Sequence, residues 1–338
     1  MMTTAMRRIA AALAIALGLA FGAPARAEVS EVRIGRIYGI AFLPLYMMQD
    51  RQILEKHLKA AGLNAKVSWS TFSNGAIMND ALLAGQVEIA SGGIPPFVVL
   101  WARTRGTPNE VKAVSAKAQA PIFLNTRNPN VKSLRDFTEK DRIALPAIKV
   151  SGQAIILQMA AQKEFGKGQE FRFDPQTVAM SSPDGMTALL SGRGEVTAHF
   201  TDPPFQYQEL KQPGIHRVLK SFDVLGGPAT YNVIWATAKF RNDNPKTHAA
   251  FIAAMKESVA EIYKDRKAAA ETYIRITKEK VGAEAILELI NDPDIEFTLT
   301  PRNMGRIVQF MQEIGHIKAA PQSWRDLFFP EVHDLPGS

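Results

Sequence analysis

The 338 residues contain no cysteine. That excludes disulfide bridges, thiolate metal sites and thiol nucleophiles together, so the chain must be held by its core alone. Histidine is scarce as well: the six, at 57, 199, 216, 248, 316 and 333, include no pair at metal-binding helical spacing. Glycine motifs that cradle phosphate or expose a nucleophile are missing, and Gly166-Lys167-Gly168 reads as a loop. No catalytic residue, metal ligand or cofactor is therefore expected. Basic charge is in modest excess, 40 Lys and Arg against 33 Asp and Glu, with no basic cluster interleaved with aromatics, so no nucleic-acid partner is expected. Beyond the N-terminus no charge-free run approaches the roughly 20 apolar residues of a membrane span.

What is present begins with an export signal. Arg7 and Arg8 precede the uncharged run Ile9 to Phe21, and Ala25-Arg26-Ala27 offers small residues to a signal peptidase, so cleavage is expected after Ala27. Three arginines and no acid leave with residues 1–27, which brings the balance to 37 against 33, or +4. With no cysteine at the cleavage point there is no usual site for a lipid anchor. The expectation is a freely diffusing protein of a Gram-negative periplasm.

The most informative feature is a phrase spoken twice. Residues 81–97 read Ala-Leu-Leu-Ala-Gly-Gln-Val-Glu-Ile-Ala-Ser-Gly-Gly-Ile-Pro-Pro-Phe, and residues 188–205 repeat the pattern with one extra residue, ending Thr-Asp-Pro-Pro-Phe. In each copy an apolar helical stripe stops at a glycine, 85 or 192. A short strand at Val87/Ile89 or Val196/Ala198 and a loop ending Pro-Pro-Phe are expected to follow. Two such units can face each other across a ligand cleft.

Strand and helix patterns alternate from Glu31 onward, which implies an α/β fold with mostly parallel sheets. The rhythm changes near residue 118 and again near Gly226-Gly227-Pro228, after which Val233–Ala236 reads as a strand rejoining the first unit. The expected organisation is one lobe of residues 28–117 plus 228–338 and an inserted lobe of residues 118–227, with hinges near 117–121 and 225–229. The last hundred residues read as helical, with Asn244-Pro245 and Thr300-Pro301 as helix starts and their methionines as packing residues.

Loops at strand ends supply the candidate ligand-binding residues. Ser151-Gly152-Gln153 opens a helix whose free amides favour an anionic or polar group, with Ser151 also a helix cap and Gln153 beside it; Lys149 is either a nearby positive charge or an exposed lysine. Tyr38, Phe42 and Tyr231 are candidate aromatic walls or core residues. Asp202, in the second phrase, is a candidate polar anchor, a latch between lobes or a turn residue.

The signal, the first loop Tyr38 to Pro44, the stretch Phe72-Ser73-Asn74-Gly75 leading to Ala81 through Ala90, and the Ser151-Gly152-Gln153 helix start together resemble the nitrate/sulfonate/taurine-type periplasmic substrate-binding proteins of ABC importers. The resemblance spans residues 30 to about 290 and is most specific over 72–95, which adds Phe72, Ser73, Gly93 and Ile94 to the candidate site. It implies a type II periplasmic-binding-protein fold: two α/β lobes, two hinge segments, and a small-molecule ligand closed between them. It also implies an ABC permease and ATPase as partners, and no catalysis; a monomer is expected. Apart from Lys149 no cation stands in the loops assigned to the cleft, so a neutral or aromatic cargo, such as a pyrimidine, fits as well as a sulfonate or nitrate. Thiamine-pyrimidine synthases share the fold as an enzymatic alternative, but their cysteine-rich segment is missing. Effector domains of transcription regulators share it too, but need a helix-turn-helix where this chain has a signal.

Overall fold

Val32 and Ile34 alternate with Glu31 and Arg33, and this period of two becomes β1 (Glu31–Arg36), buried at Val32 and Ile34. The structure, a computed structural model, describes residues 27–338, so the expected signal up to residue 26 lies outside the described residues.

The first sheet contains β1, β2 (Lys66–Thr71), β3 (Ile89–Gly93), β4 (Val111–Gln119), β10 (Thr230–Thr237) and the short edge strand β11 (Glu296–Phe297), in the order β11-β4-β10-β3-β1-β2. The second contains β5 (Phe123–Thr126), β6 (Ile143–Leu145), β7 (Thr177–Ala179), β8 (Ala198–Thr201) and β9 (His216–Lys220), in the order β7-β6-β8-β5-β9. Neither sheet is mostly parallel, contrary to the expectation from the strand-helix rhythm. Each has a parallel trio, β2-β1-β3 or β7-β6-β8, and each trio continues into an antiparallel strand, β10 against β3 and β5 against β8. Helix crossovers give the trios their parallel sense; the antiparallel strands belong to the segments that join the sheets. The chain leaves the first sheet between Gln119 and Phe123 and returns between Lys220 and Thr230. These crossings lie side by side, with Ile122 and Ser221 exchanging bonds of 3.0 Å between their backbones and the serine hydroxyl.

Helices α1 (Leu43–Asp50), α2 (Ile53–Ala60), α3 (Gly75–Leu83) and α4 (Ile94–Thr104) belong to the first trio, and α5 (Gly152–Phe165), α6 (Ser182–Ser191) and α7 (Phe205–Leu210) to the second. Both copies of the repeated phrase occupy the same place: α3-β3-α4 and α6-β8-α7. Gly85 (φ 67°) and Gly192 (φ 64°) take the left-handed conformation that a side chain would strain, and so end α3 and α6. The expected strands are displaced. Val87 and Val196 precede them, and the pairing runs on to Gly93 and Thr201. Nor does a loop carry Pro95-Pro96-Phe97: proline at the first turn of α4 costs no hydrogen bond, so β3 passes directly into that helix. In the second copy Pro203-Pro204, joined by a cis peptide, lie between β8 and Phe205, the first residue of α7.

One apolar core runs from Phe97, Trp101 and Trp235 through Ile155 to Phe200, joining the two sheets' inner helices. A second, with Phe42, Phe251 and Tyr273, fills the other face of the first sheet under α8 (Pro245–Lys264) and α9 (Arg266–Thr277). The Thr300-Pro301 start is not realised: α10 (Gly305–Glu313) begins four residues later. Asn244 precedes Pro245 as expected, but its side chain makes no capping bond.

Candidate functional site

The loops at the carboxyl ends of both trios meet in one place. Four helix starts converge there: α3 and α4 from the first sheet, α5 and α6 from the second, around a space of about 490 Å3. The slot is narrow, with only about 30 Å3 wide enough for the centre of a water molecule.

Each helix start has disposed of some of its free amides. Asn74 accepts from Ala76 and Ile77 at 3.0 and 3.1 Å, Ser151 accepts from Ala154 at 3.2 Å, and prolines at positions 95, 96 and 183 have none to offer. The amides of Gly152 and Gln153 face no helical carbonyl, being the first two of α5, and so point donors at the slot. Opposite them, the Gln153 side-chain amide donates to the Tyr231 hydroxyl at 2.9 Å, a direct bond between the second sheet's helix and a strand of the first. The walls between are apolar, from Ile37, Pro96, Pro146, Ala147 and Val150.

Among the described residues Asp202 is the one charged side chain lining the slot. It is 4 % exposed, and its Oδ1 accepts from the Ser182 hydroxyl at 2.9 Å. Burial lifts its carboxyl to about 6, against the Ser182 hydrogen bond and the charges of His199 and Lys117, which pull it down. Gly39 explains how the loops come so close. Its φ is 107°, and a Cβ there would stand 2.1 Å from Asp202 Oδ2. Beside it the Ile40 amide donates to the Pro203 carbonyl at 2.9 Å. Asp202 is thus wedged between lobes as well as facing the slot.

Of the ten residues proposed from sequence, seven line this slot: Tyr38, Ser73, Gly93, Ser151, Gln153, Asp202 and Tyr231. The other three do not. Ile94 is 1 % exposed in the core, and Phe72 is a half-buried residue packed on that core. Phe42 is fully buried with Lys117 over its ring, 2.9 Å from the centroid, so its aromatic face is already occupied. Lys149 is exposed with a φ of 67° and lines no part of the slot.

Lys117 itself escaped the sequence reading. It is fully buried, donates to the Ser91 hydroxyl at 2.9 Å, and burial drives its ammonium well below the ordinary lysine range while the charge of Asp202 pulls it back up. A lysine three residues beyond the strand-like stretch Val111–Val114 carries no local mark that tells a buried ammonium from an exposed one. Asn74, Ser182 and Pro146 were missed for another reason, since nothing local marks a cap or turn residue as facing a cleft.

The sequence model of the NMT1/THI5-like family matches residues 58–269, more than half of the chain. Comparison with curated protein sequences gives no match. Among solved structures, the periplasmic aliphatic sulphonate-binding protein SsuA of Escherichia coli is similar with a TM-score of 0.65 at 19% identity, over 89% of this chain and 92% of its own. The periplasmic nitrate-binding protein NrtA of Synechocystis PCC 6803 gives 0.68 at 13% identity, over 89% and 85%. A Candida albicans protein described as having the generic periplasmic-binding-protein fold gives 0.63 at 15%, over 84% and 89%. At such identities the likeness establishes the fold: two α/β lobes of the periplasmic-binding-protein type.

Proposed function

The chain belongs to the NMT1/THI5-like family, and from that premise we propose that it is the exported solute-binding component of an ABC importer. The two lobes, expected as residues 28–117 with 228–338 and residues 118–227 but divided in the structure after Gln119, the last residue of β4, close on one small molecule and present it to a membrane permease; the protein acts as a monomer and is released by cleavage after Ala27. Among the described residues no helix is long and apolar enough to cross a membrane. The observation that carries this reading is the convergence of helix starts from both lobes on one slot, bridged by the Gln153–Tyr231 bond.

The lining also narrows the cargo. Donors come from the amides of Gly152 and Gln153 and from the Tyr231 hydroxyl, whose oxygen already accepts from Gln153; the acceptor is Asp202, and among the described residues no cationic side chain lines the slot. A flat or compact polar molecule with both donors and acceptors, neutral or bearing an amine, suits it better than a free inorganic anion. The sulphonate and nitrate of the similar structures are the ligands of those proteins; the acid in this slot argues for different cargo.

A melting-temperature screen against anions, sulfonates, aromatic acids and pyrimidines is the test, because a ligand at 100 times its dissociation constant stabilises by about 2.7 kcal/mol. Calorimetry on the compound that shifts most should give one site per chain. Asp202→Ala and Gly93→Val should weaken it roughly tenfold to a hundredfold, by loss of a buried acceptor and by filling the slot opposite the Gly152 amide. Unchanged affinity in both variants would place the ligand elsewhere.

A further inference from the structure

Asp202 owes its pose in the slot to a residue that never reaches the slot. Ser182, the first residue of α6, donates to Asp202 Oδ1 at 2.9 Å, and Gly39 closes on Oδ2 from the other side. The acid therefore holds its place only if α6 docks on the second sheet at the right depth.

Gly185 marks where that depth is set. It lies three residues after Ser182, on the same face of α6, and is buried. Its backbone is ordinary right-handed helix, in which alanine is the more stable residue, so conformation does not call for glycine. Space does: a Cβ would stand 2.7 and 2.8 Å from Cδ2 and Cε1 of His199 and closer still to Nε2. The helix backbone thus rests directly on the edge of an imidazole, whose Nε2 accordingly finds no hydrogen-bond partner.

The ring has no room to yield. His199, on β8, is fully buried, and its Nδ1 is hydrogen-bonded to Glu209 Oε1 of α7 at 2.5 Å. The other carboxylate oxygen accepts from the Asn125 amide of β5 at 2.8 Å, and that amide also donates to the Gln206 carbonyl at 2.9 Å. An imidazole pinned along one edge by a buried acid, itself pinned by the neighbouring strand, is a rigid stop for whatever packs on its other edge.

We propose that His199 is a positioning residue for the slot's acid: backed by Glu209 and Asn125, its ring sets how closely α6 approaches β8, and Gly185 transmits that distance to the Ser182–Asp202 bond. What Asp202 does toward a solute rests on the function proposed above; the way it is held does not. Titratable groups on other elements also feel Asp202: Lys117 on β4, Tyr46 on α1, Tyr231 on β10, and Tyr273 and Glu279 in and after α9. None of these lies on α6, so a shift of that helix leaves them in place.

Carbon-13 NMR of the aspartate carboxyls reads the bond without any solute, the Asp202 signal being identified by its loss in Asp202→Asn. Burial lifts this carboxyl to about 6, and the Ser182 bond opposes the lift. Ser182→Ala should raise it by about one further pH unit, the worth of a hydrogen bond to a charged group. Gly185→Ala should raise it equally, because the added methyl lifts α6 off the ring. His199→Asn keeps a donor where Nδ1 stood and removes the ring edge that faces Gly185, so Gly185→Ala added to it should leave that variant's titration unchanged. Melting curves run beside the titrations, and if Gly185→Ala alone does not fold, the double variant must. An unshifted carboxyl in Gly185→Ala, the same shift with and without the ring edge, or a double variant that stays unfolded overturns the proposal. With the compound that raises the melting temperature most in the screen above, Gly185→Ala should lose affinity as Ser182→Ala does and recover it with His199→Asn; wild-type affinity in Gly185→Ala also overturns the proposal. If no compound binds while the titrations behave as stated, the solute-binding reading fails and the positioning role of His199 stands.

Discussion

Asp202 shows how far a single residue could be read from sequence. The repeated phrase placed it at a strand end facing a partner lobe, and there it lies, but its burial and its contact with Gly39 follow from three-dimensional closure that no local pattern encodes. Arg36 is the opposite case. Positions 32, 34 and 36 share one face of β1, so the periodicity that buries Val32 and Ile34 also buries the arginine, a residue type whose burial no local pattern announces. Asp202 also gives a pH prediction. Its folded carboxyl keeps its proton up to about 6, against 3.8 for an unperturbed aspartate, so in that window the folded state binds more protons than the unfolded chain. Stability conferred by this group therefore falls as pH rises from about 4 to 6 and is level above it. Asp202→Asn removes the ionisation penalty. Its stability relative to wild type should climb across that window by roughly 3 kcal/mol, about two pKa units at 1.36 kcal/mol each. Urea melts at pH 4, 5, 6 and 7.5 measure it; a difference that stays constant with pH would show that Asp202 is not strained by burial.

Among elements, the parallel trios were legible because short apolar segments alternate with longer helix-like ones along the chain, and because the phrase α3-β3-α4 recurs as α6-β8-α7; their strands β3, β6 and β8 are buried nearly throughout, so a period of two could not place their ends. The short strands β9 and β11 were not. Residues 216–220 alternate only weakly, and β11 is two residues paired on the edge of β4, set by the partner rather than by its own sequence. The start of α8 shows a distant residue replacing a local one. Glu28, the first residue after the expected cleavage point, accepts from the amides of Lys246 and Thr247 at 2.8 and 2.7 Å, and so does the capping that Asn244 was expected to do. Asn244 instead receives the Val29 amide at 2.8 Å. Glu28→Ala should lower stability by about 1 kcal/mol, the usual worth of a cap; a melting curve unchanged from wild type would mean that this end does not hold α8 in solution. The bridge from α5 to β10 offers a second check. Tyr231→Phe leaves the Gln153 amide without its acceptor and should weaken capture of the slot's solute about twofold to tenfold, with little effect on melting of the ligand-free protein. A large fall in melting temperature with affinity intact would make the bond structural.

At the scale of the whole molecule, function rests on two lobes joined by paired crossings that can bend while each sheet stays intact. Here the lobes touch at Ile40 and Pro203 and at Gln153 and Tyr231, and these contacts narrow the slot between them. Capture by closure therefore requires that the protein without solute open about the crossings near residues 119–123 and 220–230. Small-angle X-ray scattering, with and without a saturating amount of the compound selected by the melting screen, tests this most directly. The account predicts a larger radius of gyration without the compound and a scattering curve matching the closed structure with it. Identical curves in both conditions would contradict it.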